Sequence, residues 1–79
     1  MPLHVYPSIR DSGVVPVGWT PNRNQVVKYP VRNDMLRRYL RTLRPGRWQK
    51  VIKLGFQGEV HYFEHESGWV AGVKFFPSR

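Results

Sequence analysis

Two histidines and two glutamates lie within six residues of each other, in the segment HYFEHE at positions 61–66. Cleavage of RNA without a metal needs a base for the 2′-hydroxyl proton, an acid for the leaving oxygen and a cation for the phosphorane. Histidine and glutamate suit the first two roles, and Lys74 is a nearby cation. The segment therefore suggests a ribonuclease that acts by general acid and base catalysis, with His61, Glu64 and His65 as candidate catalytic residues.

The spacing of the two histidines limits what they can do together. On a strand, His61 and His65 are separated by roughly 13 Å at about 3.3 Å per residue, which is too far for both to bind one metal ion. A zinc site with this spacing requires a helix, and the segment does not read as one. We expect no metal and no cofactor. Two other interpretations stay open, in which these residues bind a ligand without catalysis or simply face solvent on a strand.

The chain is strongly basic, with a net charge of +8 over 79 residues. Ten basic residues lie between Arg23 and Lys53, where Asp34 is the only acidic residue, so ten minus one gives this stretch a net charge of +9. Such a block favours a polyanionic partner, most commonly nucleic acid. An acidic protein is the alternative partner.

Residues 33–44 have the pattern of an amphipathic helix. Asn33 suits the N-cap position, and Pro45-Gly46 suits the end of a helix. The apolar residues recur at helical spacing on one face, whereas the arginines form a ridge on the other with no glutamate among them. The apolar set is Met35, Leu36, Tyr39, Leu40 and Leu43, and the ridge is Arg37, Arg38, Arg41 and Arg44.

Residues 47–76 predict a three-stranded antiparallel β-meander with strands at 47–54, 59–66 and 69–76. If Ser67-Gly68 is a two-residue turn, Glu64 faces Ala71 and His61 faces Lys74. One sheet face then carries the more apolar residues, and we expect the leucine-rich side of the helix to cover it. That face holds Val51 and the pairs Glu66 with Trp69, Glu64 with Ala71, Tyr62 with Val73 and Val60 with Phe75, while the opposite face holds Trp48, Lys50, His61, Phe63, His65 and Lys74.

Five of the seven prolines lie in the first 30 residues, which argues against a helix there. The predicted fold class is α+β in one domain, residues 1–79. It consists of an extended Pro-rich N-terminal arm (1–32), one amphipathic basic helix (33–44) and a three-stranded antiparallel β-meander (47–76). Within the arm, 14–19 and 25–29 are candidates for edge strands. Neither a signal peptide nor an apolar run of about 18 residues is present, so we expect a cytoplasmic protein without membrane contact, or one that another protein carries elsewhere.

The predicted nucleic-acid interface combines the helix ridge with the more polar face of the sheet. Arginine suits bidentate contact with phosphate, and aromatic rings flanked by cations suit unpaired bases, which puts RNA slightly ahead of DNA. The alternative for Trp48 and Phe63 is that they are core residues beneath the arm. The predicted contact residues are Arg37, Arg38, Arg41, Arg44, Arg47, Trp48, Lys50, Lys53, Phe63 and Lys74.

About a third of the chain also resembles a known group of domains. The stretches RWQKV (47–51), GEVHYF (58–63) and SG (67–68), followed by VK (73–74), look like the closing segment of toxin cartridges. These cartridges form the C-termini of bacterial polymorphic toxins of the Rhs and contact-dependent type. The resemblance implies a small basic nuclease, here a ribonuclease toxin, that is neutralised by an immunity protein. It assigns no catalytic set.

The chain is also similar in size to accessory proteins of phages and mobile elements, and because the sequence begins with Met1 we expect it to act without a carrier protein. The alternative function is therefore that of a regulator that binds an acidic host protein.

Overall fold

The fold is mostly β, with one curled five-stranded antiparallel sheet and one short helix. The computed structural model describes residues 3–78, except for the side chains of residues 23 and 24. Across the sheet the strands follow the order β1-β5-β4-β3-β2. In chain order the elements are β1 (Val5–Tyr6), β2 (Pro21–Pro30), α1 (Asp34–Leu43), β3 (Trp48–Gly55), β4 (Gly58–His65) and β5 (Val70–Pro77).

The predicted α+β fold, with a three-stranded meander and an extended N-terminal arm, is wrong. Residues assigned to the arm supply two of the five strands, β1 at one edge of the sheet and β2 at the other. The prolines concealed β2, because Pro21 and Pro30 are its first and last residues. Proline is tolerated at the start of a strand and on an edge strand, where its missing N–H breaks no ladder. The candidate strand at 25–29 lies within β2, whereas 14–19 forms no strand.

Helix α1 lies where its sequence pattern predicts it. The Asn33 side chain caps it by accepting a hydrogen bond from the Leu36 N–H at 3.0 Å, and Leu40 is fully buried. Met35 was expected on the apolar side but is 82% exposed, because it lies about 100° around the helix from Leu36. Within residues 3–78 no helix has the length and apolar character needed to cross a membrane.

The two faces of the sheet have different covers, and we call them the helix face and the arm face. The helix face carries the side chains of Trp48, Lys50 and Phe63. The arm face carries those of Val51 and Tyr62, which pair with each other across β3 and β4. Alternation along each strand separates the two sets.

Helix α1 packs on the helix face, which is the opposite side of the sheet from the one predicted. Leu40 forms a buried cluster with Val31, Trp48 and Ala71. The Trp48 indole N–H donates to the Arg44 carbonyl at 3.0 Å, so the end of α1 is tied to the first residue of β3. Residues 44–47 link the two elements.

The N-terminal segment supplies the cover of the arm face. Trp19 is 1% exposed and packs with Val51, Val60 and Tyr62. Its indole N–H donates to the Gly58 carbonyl at 3.0 Å. Residues 6–19 are therefore a layer of the hydrophobic core and not a loose arm.

The pairing of β4 with β5 follows the predicted register over its first half only. His61 lies opposite Lys74, as predicted. Beyond this pair the register shifts, because two residues, Gly72 and Val73, stand opposite Tyr62 and form a β-bulge. Gly72 has a φ of 63°, a conformation that glycine adopts without strain.

The bulge also makes the predicted two-residue turn at Ser67-Gly68 wrong. Glu64 lies opposite Val70 and not opposite Ala71. The turn is longer than predicted, since the His65 N–H bonds to a carbonyl four residues further along the chain.

Replacing Trp19 with alanine should remove a large part of the stability of the protein. Loss of a fully buried tryptophan costs about 3–5 kcal/mol, and small domains have only about 5–15 kcal/mol in total. Urea denaturation followed by far-UV circular dichroism measures the change. Val17→Ala is the control, because Val17 lies in the same segment and is fully exposed. A Trp19→Ala midpoint equal to that of the wild type would show that the segment is not part of the core.

Candidate nucleic-acid interface

Helix α1 covers only one end of the helix face, and we call the remainder the open face. Its side chains form three cross-strand rows, and adjacent rows are two residues apart, or roughly 7 Å. Several of its large apolar side chains are well exposed, including Phe76 at 47%. The first row is Tyr29, Lys50 and Phe63; the second is Val27, Ile52, His61 and Lys74; the third is Leu54, Glu59 and Phe76.

Two recesses lie at opposite ends of the open face. The Tyr29 recess has a volume of about 250 Å³ and lies where β2 leads into α1. It is lined by Tyr29, Pro30, Val31, Arg32, Asn33, Leu36, Lys50 and Phe63. The His61 recess, of about 350 Å³, lies near the β3–β4 turn and includes Leu54, Glu59, His61 and Phe76 in its lining.

Lys50 is a partly buried cation in the first row of the open face. Its ammonium nitrogen lies 4.8 Å from the centre of the Phe63 ring. Burial lowers the pKa of Lys50 below its usual value, and the positive charge of Lys74 lowers it further. No carboxylate of the described residues pairs with either lysine. An anion placed between the two lysines would offset the burial of the Lys50 charge and its repulsion by Lys74.

The arginines of α1 differ in how they are engaged. Arg37 forms an ion pair with Asp34, and the Arg44 guanidinium lies 5.3 Å from the centre of the Trp69 ring. Arg38 and Arg41 are exposed, and among the described side chains no carboxylate lies within ion-pair distance of them. These two arginines are therefore available to a partner.

The Tyr29 recess joins the basic helix to the open face. Asn33 and Leu36, from the start of α1, line it together with Lys50 and Phe63 of the sheet. Arg47, also predicted as a contact, is exposed in the link between α1 and β3, where its backbone N–H donates to the Glu66 carboxylate at 3.2 Å.

His61 lies on the open face and has a carboxylate partner that sequence reasoning missed. Its Nε2 is 2.9 Å from Oε2 of Glu59, and its ring centroid is 4.6 Å from that of Phe76. Alternation was the available signal, since residues two apart on a strand share a face. Within residues 3–78 no group of three His, Asp or Glu side chains is placed to hold a metal ion.

The other two candidate catalytic residues lie away from His61. Glu64 is on the arm face, where it forms an ion pair with Lys28 at 3.1 Å. His65 is 5% exposed, and its Nε2 lies 2.8 Å from the carbonyl of Pro45 and its Nδ1 2.7 Å from the Ser67 hydroxyl. Both ring nitrogens are thus engaged in joining the β4–β5 turn to the end of the helix. The three side chains do not converge on one place.

Two predicted contact residues also lie off the open face. Trp48 is 4% exposed beneath α1, so its ring cannot stack on a base. Lys53 projects from the arm face, with its ammonium 5.6 Å from the centre of the Tyr62 ring. Conversely, Tyr29 and Phe76 are exposed aromatics on the open face that the sequence argument did not assign to the interface.

Comparison with models of protein families, with curated proteins and with solved structures finds no significant match for this chain. The side chains of the open face and the placement of charge are therefore the basis for a functional proposal.

Replacing Lys50 with methionine should raise the urea midpoint near pH 7. Because the folded protein lowers the pKa of Lys50, its charged form is less favourable in the folded state than in the unfolded chain. This cost is present at neutral pH and fades as pH rises through the ordinary lysine pKa of 10.5. The stabilisation by Lys50→Met should fade over the same range. A variant that is less stable than the wild type at pH 7 would contradict this assignment.

Proposed function

We propose that the protein binds nucleic acid through the open face and the arginines of α1, with RNA slightly favoured over DNA. One observation supports this most directly. The carboxylates that lie on α1 and in the rows of the open face are already paired, Asp34 with Arg37 and Glu59 with His61. The cations Arg38, Arg41, Lys50 and Lys74 are left without carboxylate partners among the described residues.

The aromatic side chains favour nucleic acid over an acidic protein as the partner. Tyr29 is 39% exposed and stands in the first row beside Lys50. Phe76 is 47% exposed and stands in the third row, where its ring lies beside that of His61. Aromatic rings beside cations match the alternation of base and phosphate along a nucleic-acid strand. RNA is abundant in the cytoplasm, where we expect the protein to act.

A ribonuclease is a second candidate, and it has one observation in its favour. His61 is bonded to Glu59 and lies opposite Lys74, on the surface where the proposal places the strand. A base and a cation are thus adjacent, but Glu64 and His65 lie elsewhere. We therefore expect binding without turnover. Cleavage of RNA in EDTA that is lost in His61→Ala would instead support a ribonuclease toxin.

Replacing Arg38 and Arg41 together with glutamine should weaken RNA binding and flatten its salt dependence. Each phosphate contact on a single strand contributes about 0.7 to the slope of log K against log salt, so the slope should fall by about 1.4. Fluorescence anisotropy with a short labelled RNA, measured over a series of salt concentrations, gives both quantities.

The matched control removes two positive charges from the arm face, as Lys28→Gln with Lys53→Gln. If net charge alone governs binding, both double variants should weaken it equally. We expect the control to bind almost as the wild type does. Absence of salt-dependent RNA or DNA binding by the wild type would contradict the proposal and favour the alternative, an acidic protein partner.

A further inference from the structure

We infer that the open face selects unpaired nucleic acid, with one base held in the Tyr29 recess and the adjoining phosphates on Lys50 and Lys74. This inference rests on the proposed function and specifies the form of its ligand. The arginines of α1 attract any polyanion, paired or unpaired. The open face adds contacts that only an exposed base can make.

The lining of the Tyr29 recess suits the flat ring of a base. Its walls include the apolar side chains of Leu36 and Phe63 and the ring of Tyr29. Polar groups stand among them, since Asn33 and Lys50 also line the recess. An unpaired base presents apolar ring faces and polar edges, which is the same distribution.

The two aromatic rings of the recess are not equivalent. The Lys50 ammonium already lies over the Phe63 ring, at 4.8 Å from its centre. Tyr29 is 39% exposed, and within residues 3–78 its ring stacks on no other ring. Tyr29 is therefore the ring available for stacking, while Phe63 and Lys50 form the opposite side of the recess.

The rows beyond the recess continue the same alternation of rings and cations. Lys74 stands in the second row, and Phe76 is exposed in the third beside the His61 ring. Lys50 and Leu54 lie four residues apart on β3, so the Tyr29 and His61 recesses are separated by roughly 13 Å. A strand laid along β3 would meet a ring, then a cation, then a second ring.

A duplex cannot use this surface in the same way. Its bases are stacked on each other, so their ring faces are hidden and only edges, sugars and phosphates remain accessible. A duplex can still contact Arg38 and Arg41. The structure therefore assigns affinity for charge to α1 and preference for unpaired bases to the open face.

The experiment compares ligands of equal length and charge by anisotropy: single-stranded RNA, single-stranded DNA of the same sequence, and a strand whose sugars carry no bases. A duplex of that sequence is added as a competitor. Stacking of one base is worth enough to change affinity about tenfold. The wild type should bind the strand with bases about tenfold more tightly than the abasic strand.

Tyr29→Ala should abolish most of this preference while keeping the salt slope and the binding of the abasic strand. Tyr29→Phe should retain the preference, because it keeps the ring. Phe56→Ala is the matched control, since Phe56 is an exposed aromatic in the β3–β4 turn, outside the three rows. Circular dichroism establishes that each variant is folded.

The outcomes separate the two levels of the proposal. Equal affinity of the wild type for strands with and without bases would overturn the inference and leave the proposed function intact. Retention of the preference in Tyr29→Ala would overturn the role of the recess. Failure to bind any of the strands would overturn the proposed function itself. The RNA and DNA arms show whether the 2′-hydroxyl contributes.

Discussion

The length of α1 relative to the strands is the constraint from which the candidate site follows. A helix of ten residues is about 15 Å long, whereas strands β3, β4 and β5, of eight residues each, extend for about 26 Å. One such helix cannot cover its face of the sheet. Its leucines bury Trp48 and Ala71 at one end and leave the rows from Tyr29 to Phe76 in contact with solvent. The open face exists because the cover is short.

The centre of the opposite face is filled, because the N-terminal segment packs over it. Trp19 fills the arm face and is held by its bond to the Gly58 carbonyl, next to the β3–β4 turn. This leaves Lys28 and Lys53 at the margins of a closed core, while Lys50 and Lys74 share an uncovered surface. Burial and the charge of Lys74 lower the pKa of Lys50, so its charged form is disfavoured in the folded protein. A bound anion between Lys50 and Lys74 would offset the cost of keeping Lys50 charged, which is consistent with a ligand at this surface.

Local signals in the sequence were sufficient for some of this structure. The N-cap at Asn33, the helical spacing of the leucines and the turn residues after β3 each act over a few residues, and they located α1 and β3–β5. Only residues 25–29 of β2 were predicted as a candidate strand, and the prolines at Pro21 and Pro30 obscured its full length. The side on which the helix packs depends on Trp48 and Trp19 filling opposite faces, which no local pattern encodes. The bulge at Gly72 is another feature that no local pattern encodes. It shifts the register of β4 with β5 in one half of their pairing, while the other half has the predicted register.

The candidate site was predictable in its composition but only partly in its arrangement. His61, Lys50, Phe63 and Lys74 were expected on one face, and they lie there. Trp48 and His65 share that face, but the helix and the turn bury them. Tyr29 joins the site only because β2 pairs with β3, a contact between residues about 20 apart in the chain that composition cannot reveal.

Val26 and Val27 allow the central claim to be tested on adjacent residues. Both are exposed on β2, but Val27 lies in the open face and Val26 projects to the arm face. The most direct measurement is a methyl NMR titration of the protein with single-stranded RNA. We expect the methyl signals of Val27 and Ile52 to shift with added RNA while those of Val26 remain in place. Shifts that are larger at Val26 than at Val27 would contradict it.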